Sequence, residues 1–96
     1  MATHIVLVNF TDQGVKNVKT SPDRVDSFEK IAGDLGVKVE SAHYTTGPFD
    51  IILLLDGADE SVATAVLGAG TTGNVRTQVL RAFSADQMRE IVSELS

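Results

Sequence analysis

Two segments of this chain carry apolar residues on consecutive positions rather than on every second one. Residues 3–10 (THIVLVNF) and 50–56 (DIILLLD) set aliphatic side chains side by side, so an extended backbone there is apolar on both faces. The stretch between them has a different rhythm. Residues 12–19 (DQGVKNVK) carry Val15 and Val18 at helical spacing, weakened by Gly14. The following SPDR predicts a helix start, with Ser21 as N-cap, Pro22 at the first helical position and Asp23 in the first turn. Val25, Phe28, Ile31, Ala32 and Leu35 then share one face until Gly36 stops the helix. Residues 12–35 thus read as a helical excursion broken near Thr20.

Residues 37–46 (VKVESAHYTT) alternate like a half-buried strand, and the Gly47-Pro48 turn folds them back on residues 50–56 as a hairpin. Residues 58–68 predict a second helix with Val62, Ala65, Val66 and Ala69 on one side. Residues 74–83 (NVRTQVLRAF) predict a fourth strand. Ser84-Ala85-Asp86-Gln87 spells a capping box, and Met88, Ile91, Val92 and Leu95 form the apolar side of a terminal helix.

The order β-α-β-β-α-β plus a C-terminal helix predicts an α+β fold of the ferredoxin-like kind, one domain over residues 1–96. Both crossover helices then lie on one face of an antiparallel sheet, with the two most apolar strands central. An antiparallel sheet with one wet face alternates apolar and polar positions, and these two strands do not. Their second face needs a cover, and a second copy, sheet against sheet, is the economical one. Self-association is therefore expected.

Composition narrows the function classes. A chain of 96 residues with 43% hydrophobic and 22% charged content suits one small globular domain. The absence of cysteine excludes disulfides, thiolate metal sites and Cys nucleophiles. A net charge of −5 opposes nucleic-acid binding, and the one basic group, Lys16, Lys19 and Arg24, reads as a solvated helical face. No signal-peptide pattern and no run of about 20 apolar residues is present, so a cytoplasmic protein without nucleic-acid or membrane partners is expected.

Candidate chemistry sits in three places. The segment GAGTTG, residues 68–73, spells G-x-G-x-x-G, but it closes a helix instead of opening one and no Walker lysine follows. It cannot seat a pyrophosphate on a helix N-terminus and reads as a flexible connection into the next strand, or as a mobile lid beside a pocket; no cofactor is expected. In the hairpin, register sets Thr45 opposite Asp50, Tyr44 opposite Ile51 and His43 opposite Ile52. His43 and Asp50 then share a face about 7–8 Å apart. They form either a catalytic dyad, with the carboxylate orienting the imidazole, or a hairpin end in which Asp50 accepts turn amides. Third, Asn9 stands among aliphatics on the first strand, and Arg76 shares the last strand with Asn74 and Gln78. A strand order of 4-1-3-2 brings these four toward one another as a ligand-binding cluster or a hydrogen-bonded interface. No spacing of His4 and His43 suits a metal.

TDQG at 11–14, SPDR at 21–24, GPFD at 47–50, GNVRT at 73–77 and RAF at 81–83 together resemble the GYD-domain family, with Phe49 where the family carries tyrosine. The resemblance spans nearly the whole chain and implies a dimeric α+β barrel. It implies no activity; distant neighbours of that fold include cofactor-free monooxygenases, muconolactone isomerases and haem-binding proteins. Three functions stay open on the sequence: a homo-oligomeric protein binding a small organic ligand, a cofactor-free enzyme using His43, Asp50 and Arg76, or a purely structural module.

Overall fold

The computed structural model describes residues 2–95. Strand β1 (Ala2–Phe10) leads through helix α1 (Asp12–Lys16) and a single 3-10 turn (Val18–Thr20) into helix α2 (Ser21–Asp34). The hairpin β2 (Lys38–Tyr44) and β3 (Ile51–Gly57) follows, then helix α3 (Asp59–Gly70), strand β4 (Val75–Ala82) and helix α4 (Ala85–Ser93). The four strands form one antiparallel sheet in the order β2-β3-β1-β4. This is the ferredoxin-like arrangement: each helical crossover skips one strand, and the two apolar strands β1 and β3 occupy the centre.

The helix-covered face is the core. Val6, Val8, Ile51, Leu53 and Leu55 point up from the central strands and are buried with Ala32 and Val37 and with Val62, Ala65 and Val66 of α3. The opposite residues of the same strands, Ile5, Leu7, Ile52 and Leu54, are only partly covered. A β-bulge between Val39 and Ser41 interrupts the β2–β3 ladder, which the plain alternation of VKVESAHY does not announce.

The helical excursion breaks where expected, at Thr20, but for a different reason. Thr20, not Ser21, is the N-cap of α2, and its side chain makes no capping bond. Ser21 is the first helical residue and is buried, its hydroxyl 2.7 Å from the phenol of Tyr44 on β2. That bond ties the start of α2 to the edge strand beneath it. Ser21→Ala and Tyr44→Phe are each expected to cost about 1 kcal/mol, and the double variant little more than either alone. Chemical denaturation of the four proteins checks this; additive losses would mean that the two hydroxyls do not hold each other.

The cap of α4 is formed as the sequence spells it: Ser84 accepts from the Gln87 amide and the Gln87 side chain accepts from the Ser84 amide. Yet α4 makes at most marginal contact with the rest of the chain, and Met88, Ile91, Val92 and Leu95 stay exposed.

Candidate functional site

Strand register places the uncovered sheet face row by row. Across the middle, Leu80 of β4, Ile5 of β1 and Leu54 of β3 stand abreast, and in the next row Gln78, Leu7, Ile52 and His43. At one end Asn9 pairs directly with Arg76. At the other end Thr3 lies between Ala82 and Asp56, and Asp56 pairs with Lys38. The face is apolar at its centre and polar at both ends, the anatomy of a protein–protein contact. One atom stands out: Asp56 Oδ1 is buried without a hydrogen-bond partner among the described residues. Such an acceptor costs about 1–3 kcal/mol, more when charged, until something donates to it.

Of the four residues expected to cluster, Asn9, Arg76 and Gln78 share this face. Asn74 does not join them. It precedes β4, is buried, and its side-chain carbonyl accepts from Gln13 Nε2 at 3.0 Å and Asn17 Nδ2 at 3.3 Å. Its backbone carbonyl accepts from the Thr11 amide. Asn74 therefore anchors α1 and the following 3-10 turn to the start of β4. Nothing in strand alternation reveals this, because the partners lie 61 and 57 residues away in sequence.

The hairpin register is the one expected, with Tyr44 opposite Ile51 and His43 opposite Ile52, and the Thr45 amide bonds the Asp50 carbonyl. Asp50 itself has a backbone task. Its Oδ2 accepts from the Phe10 amide at 2.8 Å while its own amide donates to the Val8 carbonyl. The carboxylate thereby extends the β1–β3 ladder past the last strand residue. His43 is exposed, and no hydrogen bond or ion pair joins it to Asp50 among the described residues. Asp50→Asn retains an oxygen for the Phe10 amide and is expected to melt within a few degrees of the unaltered protein. Asp50→Ala leaves that amide unpaired and is expected to cost about 1–3 kcal/mol. Equal thermal stability of all three proteins would remove the structural role of Asp50.

A His–carboxylate contact does exist, elsewhere. His4, on the core face of β1, is buried, with Nε2 2.8 Å from Asp59 Oδ1 and Nδ1 3.2 Å from the Ala2 carbonyl. Arg81, opposite His4 on β4, brings Nε to 3.7 Å from the same carboxylate oxygen. Asp59 is the first residue of α3, so the group fastens the helix N-terminus to the sheet where its dipole favours a carboxylate. Both ring nitrogens of His4 already face acceptors, which suits fastening better than proton transfer. The sequence hides this pair because its members are 55 residues apart on different elements.

GAGTTG ends α3 and turns into β4, with Gly73 at φ 82, a connection and not a phosphate loop. Among the described residues no group of three or more His, Cys, Asp or Glu could hold a metal ion, and no helix is long and apolar enough to cross a membrane.

A family model described as the GYD domain matches residues 4–92. The chain belongs to the GYD-domain family. One curated relative, from Thermus thermophilus, is 32% identical over 85 residues, covering 86% of this chain and 90% of its own, and bears the name glutamine synthetase and cystathionine beta-lyase binding protein. A crystal structure of a protein from Thermus thermophilus superposes with a TM-score of 0.55 at 25% identity, over 88% of this chain and 96% of that one. The matched residues 4–92 run from β1 into α4.

Proposed function

We propose that this GYD-domain chain is a binding protein that works as a homodimer, joined through the uncovered sheet face, and carries a small organic ligand. The observation behind it is the apolar centre of that face: Leu80 is exposed and Ile5, Leu7, Ile52 and Leu54 are only partly covered, on one side of a sheet whose helices are all committed to the other side or stand clear. A second copy suits the surface better than an unrelated partner, because the face is complementary to itself. A twofold axis perpendicular to the strands lays the Arg76 end of one copy against the Asp56 end of the other. The cationic end of one copy then faces the end of the other that carries Asp56, and leucine meets leucine in the middle. The exposed apolar side of α4 supplies further surface at the margin. Asn9, Gln78 and His43 belong to the polar rim of this contact.

The relative named for binding two enzymes supports a binding role for this chain as well. The enzymatic alternative has less to work with, since Asp50 is occupied by the Phe10 amide. Sedimentation equilibrium at micromolar concentration is expected to return at least twice the 10.2 kDa chain mass. A stable, folded monomer under those conditions overturns the sheet-to-sheet contact.

A further inference from the structure

The core face of the sheet is not packed solid. Between α2, α3 and the central strands runs a cavity of about 410 Å³, floored by Val8 and Leu53 and walled on the α2 side by Phe28. The α3 wall is made of small side chains, Ala65 and Ala69 among them. Large residues on one helix facing small ones on the other leave volume that the sheet spacing cannot close. A volume of this size is in the range of small-molecule sites.

One part of the lining is chemically distinct. Arg24 borders the cavity and is the one charged residue that does so among the described residues. The sequence places it on a solvated basic face, but the structure turns it inward and leaves it partly buried. Its Nη1 donates to the Asn17 carbonyl at 3.1 Å and to Thr20 Oγ1 at 2.6 Å. Its Nη2 is buried with no acceptor, and no carboxylate stands within ion-pair distance of Arg24 among the described residues. Asn17 bonds in turn to Asn74, which lines the same cavity. Arg24 also lies in the first turns of α2, where the helix dipole favours an anion. A guanidinium nitrogen without an acceptor is unfavourable, and a carboxylate is the anion with which a guanidinium makes its strongest hydrogen bonds.

We infer that this cavity binds an amphipathic monocarboxylate, a medium-chain alkanoate or arylalkanoate, with its carboxylate on Arg24 and its apolar body between α2 and α3. One guanidinium without a second cation suits a single negative charge, and the lining beyond it is overwhelmingly apolar. The inference gives a site and a chemical class to the small-ligand part of the function proposed above, and does not depend on the dimer.

Decanoate and decanol, each below its aggregation threshold, test it by calorimetric titration of the full chain. Saturable decanoate binding at one per chain is expected, about tenfold or more tighter than decanol. Arg24→Met is expected to remove that preference while decanol binding changes little, and Ala69→Phe, which fills the cavity, to weaken both. Leu80→Asp, on the opposite sheet face, is expected to bind decanoate normally even as a monomer, which separates this site from the dimer contact. The inference is overturned by no saturable decanoate binding, by equal affinity for acid and alcohol in the unaltered protein, or by loss of decanoate binding in Leu80→Asp. It is equally overturned if a folded Arg24→Met binds decanoate as tightly as before. Should Arg24→Met not fold, the acid-to-alcohol ratio and Ala69→Phe decide the matter.

Discussion

Leu80→Asp is expected to yield a folded 10.2 kDa monomer under conditions in which the unaltered chain is expected to sediment as a dimer. Leu80 is 46% exposed in the single chain and stands in one row with Ile5 and Leu54. An aspartate there still reaches water, so the isolated fold changes by no more than about 1 kcal/mol. In a sheet-to-sheet contact the same carboxylate is pressed against aliphatic side chains and loses its hydration, at several kcal/mol per ion. A twofold interface meets the change twice. At about 1.4 kcal/mol per factor of ten, the dissociation constant is expected to rise by at least a thousandfold. Sedimentation equilibrium reads the mass and circular dichroism the fold. If Leu80→Asp remains dimeric, the contact does not run through the sheet centre, and the exposed apolar side of α4 becomes the surface to alter, with Ile91→Asp as the matching variant.

Gly14→Ala is expected to be the most destabilising single-methyl change in the chain, at about 2–4 kcal/mol. Gly14 is buried in the short helix α1, which presses onto the residue before β4. A Cβ built there would overlap the carbonyl oxygen of Asn74 and crowd the Phe10 side chain at 3.2 Å. Neither neighbour can yield freely. The Asn74 carbonyl is held by the Thr11 amide, and the Thr11 hydroxyl bonds both the Gly14 amide and the Gly73 carbonyl. Making room for the methyl group therefore breaks a connected set of bonds rather than shifting one side chain. Thermal denaturation is expected to show a fall of about 10 °C or more for a domain of this size. A shift of only a degree or two would mean that α1 is not seated against Asn74. On helix propensity alone the same substitution predicts a gain, so even the sign of the effect tests the packing.

Much of this architecture is legible in the chain itself. THIVLVNF and DIILLLD announce central strands because consecutive aliphatic residues need cover on both faces. The turn at Gly47-Pro48 sets the hairpin register, since a two-residue periodicity leaves no freedom once the turn is placed. The same apolar runs, with helices enough for one face only, mark the other face as a surface to be covered. The capping box before α4 is equally readable, because all of its partners lie within four residues.

What only the tertiary structure decided concerns the polar side chains and the bulge between Val39 and Ser41. Ser21 looks like an N-cap, yet its hydroxyl meets Tyr44, 23 residues on. Asp50 reads as either the partner of His43 or an acceptor of turn amides, yet its carboxylate goes to the Phe10 amide, 40 residues back. His4 finds Asp59, Asn74 closes on Asn17 and Gln13, and Arg24 turns from an apparent solvated face to a cavity wall. Apolar side chains reveal their direction because burial repeats with the period of the element and sums over many residues. A polar side chain has several donors or acceptors within reach, each worth about 1 kcal/mol net, and imposes no period on the sequence. Which of them it meets is settled by where the crossovers α1–α2 and α3 carry distant backbone, and that is a property of the folded chain alone.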